Sequence, residues 1–470
     1  DRGAAPAAPR GEARGLARGY HPAQRSVPRA AVGAALREAA LAAEARDPAL
    51  AALARGWLER FTEEFPDAER AAGATAALLG SAAGAGYDRT AGAAEPGAGL
   101  FGRRTGITPL PLHSTPVGFA TLAGAVTPSL AAVAEPRATE DGVTLPRWDV
   151  VAGWGPGARR GGGGRVGSGP RAGGGSVLSG GQALPRVQLQ TSRPVELPGF
   201  LRVLGPVSFH TFATRLDERR HPGDPYLWGM RFALRPHPRL TVGVNRASIF
   251  GGDSVSTPTT AGRLAKMALG FLSADFENQV VAAEFRYRLP TEGTLPVTLY
   301  LEWGADDGAG AWWDVPGRVF RAYVPAVPGL PALAAGAEYA SFATLCCGNP
   351  GWYTHAAQPG GWAARGSLRG HPLGGEGSEL ALYSHADLAD ARLRLEGRAF
   401  RRERGREGYD LEFLRAGNLF APERAGRSDG LALAAAWRAT RRAELRARAL
   451  REAGSGWRNQ ELDLNASVLF

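Results

Sequence analysis

ELDLNASVLF, residues 461–470, alternates without a break: Leu462, Leu464, Ala466, Val468 and Phe470 fall on one side of an extended chain, and Glu461, Asp463, Asn465 and Ser467 on the other. Successive side chains of a strand point to opposite faces, so this stretch reads as a strand with one apolar and one polar face. The same period of two recurs upstream. Trp228, Met230, Phe232 and Leu234 share a face in residues 227–235, and Val281, Ala283, Phe285, Tyr287 and Leu289 do so in 280–289. Residues 297–303, 391–400, 431–440 and 443–452 repeat the pattern, with Arg and Glu opposite the apolar face. A soluble two-sheet sandwich would also alternate.

The connections separate the two architectures. From Val207 onward twelve strand candidates are joined by links of alternating length. The long ones are 217–226, 248–279, 304–317, 343–378 and 401–430; the short ones are 236–239, 290–296, 325–331, 387–390 and 441–442. Such alternation is the topology of an outer-membrane barrel, with short periplasmic turns and long outside loops. Lipid then accounts for the apolar face, and closure removes the sheet edges. Phe470 ends the last strand as an aromatic terminus of the kind read by barrel-insertion machinery. If Phe470 lies on the periplasmic side, parity places every long loop outside, together with 453–460. At about ten residues per spanning strand and a similar average loop, the residues after the helices allow about eighteen strands.

The first hundred residues differ. Residues 1–24, rich in Ala, Pro, Gly and Arg, read as a flexible tail. Helical signals begin at Ser26 and Pro28, before the run 30–45. Asp47-Pro48 supplies an N-cap followed by Pro at the first helical position. Leu50, Leu53, Trp57, Leu58, Phe61 and Phe65 then form one apolar helix face, which Pro66 ends. Residues 67–84 suit a third, Ala-rich helix. The division expected is a tail over 1–24, a helical bundle plugging the periplasmic side over 25–95, and a transmembrane antiparallel β-barrel over 96–470.

Composition narrows the function little. The chain of 470 residues carries 55 basic and 45 acidic residues, a net charge of +10, and Lys266 is its one lysine. An Arg-rich genome-wide bias explains much of this, so the charge argues only weakly for an anionic partner and nucleic acid is not expected. Cys346 and Cys347 are adjacent and offer neither a disulfide framework nor a CxxC metal pair. The sequence opens at Asp1 without Met and without an apolar leader, so the expectation is that either a signal peptide has been removed or the sequence is a fragment. The eight histidines show no metal-ligand spacing and read as turn and loop residues, and no cofactor is expected. GWGPGARRGGGG, from Gly153, lacks the ending of a phosphate loop and reads as a glycine turn. Asp306 and Asp307 read as a solvated loop tip, with a carboxylate pair or a calcium site as the lesser alternative. No Ser–His pair or other catalytic set is selected, so no enzyme is expected.

Two groups of residues carry the functional reading. Arg231, Arg286, Arg288, Arg392, Arg394, Arg446 and Arg448, with Glu284, Glu302, Glu396 and Glu444, fall opposite the apolar faces, in the lumen of a barrel. They read as a salt-bridge network, with a positive lumen that draws anionic glycan as the alternative. Trp312, Trp313, Trp352, Tyr353, Trp362 and Tyr409, with Arg404 and Arg406, fall in or beside long loops. Such aromatics serve a lipid-interface girdle, or stack on the apolar face of a pyranose while Arg pairs with uronate carboxylates.

Several segments resemble a known family. PVSFHTFATRLDERRHPGDPYLWGMRFALRPHPRLTVGVNRASIFGGD, residues 206–253, is followed by NQVVAAEFRYRLPTEGTLPVTLYLEWGADDG, residues 278–308. WGPG and then SVLSGGQALPRVQL precede them within 154–189, and GREGYDLEFLRAGNLFAPERAGRSDG, residues 405–430, follows. Their order and content are similar to the capsule assembly protein Wzi family over roughly 149–470. The chain departs from the pattern in its Gly/Arg-rich insertion 161–175 and at Ser176–Gly181. The resemblance implies an outer-membrane barrel of about eighteen strands with a small periplasmic helical bundle. It further implies a monomer that binds, assembles or anchors an extracellular polysaccharide, with an acidic one favoured by the Arg content, and has membrane lipid and the insertion machinery as its other partners. A porin-like channel for anions or sugars is the alternative.

Overall fold

The computed structural model describes residues 7–21, 29–65, 77–92, 115–127, 129–140, 142–154, 157–167, 175–216, 222–253, 259–269, 277–291, 293–306, 316–342, 361–364, 367–404 and 426–469, together with 255, 352, 353, 355 and 358. Three helices come first, α1 Ala7–Ala13, α2 Arg29–Glu44 and α3 Pro48–Glu64. The first nine strands are β1 Ala77–Gly92, β2 Thr115–Thr127, β3 Leu130–Thr139, β4 Gly142–Trp154, β5 Gly157–Gly167, β6 Ser179–Thr191, β7 Val207–Arg215, β8 Tyr226–His237 and β9 Leu240–Phe250. A short helix α4, Ala261–Leu269, precedes β10 Glu277–Arg288, β11 Thr298–Asp306, β12 Gly317–Val324 and β13 Leu333–Phe342. A two-strand ribbon, β14 Ala363–Ala364 and β15 Ser367–Leu368, interrupts the series. It ends with β16 Gly377–Leu388, β17 Leu393–Arg404, β18 Gly426–Arg438, β19 Ala443–Gly454 and β20 Trp457–Leu469.

Apart from the ribbon, the strands form one sheet of eighteen, all antiparallel to their neighbours, and twelve of them follow Val207 as expected. The pairing returns to its start: β1 pairs with β2 through Ala83↔Ala120 and with β20 through Ala83↔Val468. Outward positions carry exposed large apolar side chains, among them Leu382, Leu433, Trp437, Leu445, Leu464 and Val468. Inward positions carry buried Arg, Glu, Asn and Gln. No described helix is long and apolar enough to cross a membrane.

Three boundaries differ from expectation. Residues 67–84 do not form a third helix across their length, because β1 begins at Ala77, so the sheet starts well before residue 96. Alanine favours a helix locally, but two ladders override that preference, and glycine fits them closely. A Cβ on Gly84 would lie 2.2 Å from the Ala466 carbonyl oxygen of β20. The tail is not wholly irregular: Ala7–Ala13 is helical, and Ala8, Arg10, Glu12 and Leu16 are buried. The expected outside loop at 453–460 is only the turn between Gly454 and Trp457, since β19 and β20 pair to their ends.

The helices lie against the short-turn end of the sheet. Asp47 caps α3 by accepting from the Leu50 N–H at 2.8 Å. Leu53, Trp57 and Phe61 from the expected stripe pack with Val32, Leu36 and Leu16, and Ala391 of the β16–β17 turn joins them. That turn is unusual, for Ala389, Asp390 and Ala391 all have positive φ, at 49, 53 and 64°. Gly56 of α3 sits directly over it; a Cβ there would come within 2.7 Å of the Asp390 carbonyl oxygen.

Candidate functional site

The interior is built in three layers. Nearest the short turns, the helices insert charge among barrel side chains. Arg10 donates to Asp387 at 2.6 Å and to the Ala332 carbonyl at 2.7 Å, and the Trp57 indole N–H reaches Asp387 at 3.1 Å. Glu12 accepts from Arg235 at 3.3 Å and from Arg286, while Arg288 donates to the Glu12 carbonyl at 2.6 Å. Arg60 pairs with Glu444 at 3.0 Å and donates to the Ala391 carbonyl at 2.6 Å. Buried His21 lies here as well. Burial, then the nearby Arg235 and Arg231 charges, pushes its imidazole down to about 4.

The middle layer is a lattice of ion pairs within and between strands. Arg231 pairs with Glu284, which also accepts from Asn245 at 2.8 Å. Arg398 and Arg402 both pair with Glu379, and Arg402 and Arg404 share Glu452 at 3.4 and 3.1 Å. Arg394 meets Glu396 at 3.0 Å, Arg446 meets Glu444, and Arg448 approaches Asp463 at 3.7 Å. Charge removed from water is tolerated where partners and hydrogen bonds satisfy it. Of the residues expected in the lumen, Arg392 alone is misplaced; it lies in the β16–β17 turn and is exposed, just before the strand alternation begins.

The layer toward the long loops is aromatic and apolar. Trp352, Tyr353 and Trp362 are each 0% exposed and pack with Val177, Phe342 and Leu373. The Trp362 indole donates to the Val177 carbonyl at 2.8 Å, and the His371 N–H donates to the Tyr353 hydroxyl at 2.9 Å. Tyr353 also donates to the Ser176 carbonyl and takes its backbone bond to Asp306. Glu302 accepts from the Ser176 N–H at 2.7 Å and the Tyr300 hydroxyl at 2.6 Å. In this arrangement the three aromatics are neither a stacking platform for sugar nor a lipid girdle. They form the core of a cap in which chain from two loops folds into the barrel mouth. Arg404 is likewise inside, on Glu452, and Asp306 is a buried anchor rather than a loop tip. Trp312, Trp313, Arg406, Tyr409 and the insertion signal Phe470 lie outside the described residues.

Alternation located the inward Arg and Glu, but nothing local marked Glu12 or Arg10, whose partners lie hundreds of residues away. Nor did it mark His371, which is 0% exposed. Glu338, His371 and Glu379 bring their ligand atoms within 4.8 Å of one another. The carboxylates already face Arg321, Arg398 and Arg402. His371 Nδ1 accepts from the Leu373 N–H at 3.2 Å, which leaves the ring proton on Nε2, 3.9 Å from Glu338. Three guanidiniums and an N–H suit a proton-bearing polar knot better than a cation site. Burial first holds the His371 imidazole down at about 4, against the pull of Glu379.

The model of the capsule assembly protein Wzi family matches residues 176–465, more than half the sequence. The chain belongs to that family. A solved structure described as Wzi, an outer membrane protein involved in group 1 capsule assembly in Escherichia coli and a carbohydrate-binding β-barrel, superposes with a TM-score of 0.73 at 14% identity. The superposition covers 98% of this chain and 97% of that one, so the two share a fold. Pseudomonas aeruginosa OccK5 and OccD3 give TM-scores of 0.49 and 0.48 at 10% and 11% identity, covering 84% and 85% of this chain and 98% and 93% of theirs. No curated protein sequence matches the chain. Beyond the Wzi family match, the helices α1–α3 and strands β1–β5 precede residue 176 and are shared at the level of fold.

Proposed function

We propose that this chain is a closed transmembrane barrel of the outer membrane that binds surface polysaccharide and helps to assemble or anchor it, without catalysing a reaction. Membership of the Wzi family over residues 176–465 carries the reading. The interior supports binding at the surface over transport. Helices occupy one mouth as a periplasmic plug, the cap around Trp352 and Trp362 occupies the other, and paired charges fill the space between. A porin-like channel would need an open path through all three layers.

Glycan contact then falls to the outer loops, with Trp312, Trp313, Tyr409 and Arg406 as the aromatic and cationic candidates. The test is complementation of an encapsulated strain that lacks its own family member, reading cell-attached against released polysaccharide. The chain is expected to restore the attached fraction. Normal abundance in the outer membrane with no gain in attached polysaccharide would overturn the proposal.

A further inference from the structure

The outward face is not uniform around the barrel. On β17, β18, β19, β20 and β1, the ends nearest the long loops carry Arg401, Arg427, Arg451, Arg458 and Arg89, all exposed. Each sits at outward parity with leucines of the apolar belt: Leu431 is opposite Arg451, and Leu462 is opposite Arg89. Arg458 pairs with Ala453, two residues beyond Arg451, so the two cations are diagonal neighbours.

Five guanidiniums face two carboxylates on this patch. Asp429 is bound to Arg401 at 2.7 Å, and Glu403 is the register partner of Arg427. Among the described residues no carboxylate is within ion-pair distance of Arg89, Arg451 or Arg458. At the same end of β8, β11, β12 and β13, the outward positions are instead mainly aromatic, with Tyr226, Trp303, Phe320 and Tyr339, and Arg318 is stacked on Trp303 at 4.3 Å.

An unpaired outward Arg directly above a leucine belt sits at head-group depth. There its stem can rest on apolar surface while its fork meets an anion. Phosphate suits that fork because two parallel N–H groups match two oxygens.

We propose that Arg89, Arg451 and Arg458, flanked by Arg427, bind the phosphorylated head group of an outer-leaflet lipid whose acyl chains lie along Leu431, Leu433, Leu462 and Leu464. The proposal rests on the outer-membrane reading, which fractionation of cells checks separately. If the chain fractionates elsewhere, that reading fails whatever the lipid result.

The test uses the full chain, purified in detergent. Native mass spectrometry would measure binding of bis-phosphorylated lipid A, of the same lipid with both phosphates removed, and of inorganic phosphate. The wild-type chain should bind the phosphorylated lipid about tenfold tighter than the dephosphorylated one. The variant carrying Arg89→Gln, Arg451→Gln and Arg458→Gln should lose that preference while keeping the heat-modifiable mobility of a folded barrel. Arg318→Gln should keep the preference. Three results would each overturn the proposal: equal preference in the triple variant, full displacement of the lipid by millimolar inorganic phosphate, or loss of acidic-polysaccharide binding with lipid binding intact.

Discussion

Trp352 occupies space that Gly317 leaves vacant, since a Cβ on Gly317 would lie 2.3 Å from its ring. The pairing of a strand glycine with a loop tryptophan shows what the cap's aromatics do. Trp352→Ala should destabilise the folded barrel by about 3–5 kcal/mol, the usual cost of emptying a large buried site. The shift in denaturation midpoint reads this directly, and glycan binding per folded molecule should not change. His371 adds a pH dependence. Its folded value of about 4 lies below the ordinary imidazole value of 6.5, so between those limits the unfolded state binds more protons. Stability of the cap is therefore full above about pH 6.5 and falls as pH drops toward 4, by at most about 3 kcal/mol. Protease cleavage within residues 343–376 should be faster at pH 5 than at pH 7, and His371→Asn should remove most of that difference. His21 titrates in the same sense at the other mouth, which is why cleavage in the loop is the readout.

Among the elements, α3 was the most legible helix because its spacing and its Asp47–Pro48 start are local signals. Its docking was not legible. It depends on Gly56 meeting the positive-φ turn at Ala389–Ala391, more than three hundred residues away. Gly56→Leu should lift the helix from that turn, and faster proteolysis of residues 29–65 in an intact barrel would report it. Unchanged protection would mean that the close approach is not needed. α1 is not legible in the sequence for a related reason. Its sequence, AAPRGEA, has no apolar stripe, and it is held by Arg10 and Glu12 through partners on β8, β10 and β16. Strand β1 is not legible locally, because alanine propensity and long-range pairing disagree there and pairing prevails.

For the whole molecule, the twelve strands from Val207 were legible because alternation and link length repeat there, whereas the first six entered only through the total that the chain length allows. The contacts by which the helices and the cap close the two mouths were not legible, because they join distant segments. The topology predicts that a tag at Gly408 is labelled on intact cells and one at Pro238 is not; the reverse pattern would invert the barrel. Planar-bilayer conductance of the full chain should be near zero. Deleting residues 7–65 should raise it only modestly while the cap around Trp352, Tyr353 and Trp362 stays in place. Removing residues 343–376 as well should raise it further, up to the limit set by the paired charges of the middle layer. A large conductance from the helix deletion alone would show that the cap does not seal.

The route by which Arg10 and Glu12 are held also sets an order in time. Helices α1–α3 precede every described strand, yet their docking surface is assembled from β8, β10, the β16–β17 turn and β19. That surface exists only after the later strands have paired, so a segment made before the strands must dock after them. Until then its apolar stripe and its buried charges have no native partner. The helical segment is thus the part of this chain with most need of a holding chaperone on its way to the membrane, and its final docking can report that the ring of strands is complete.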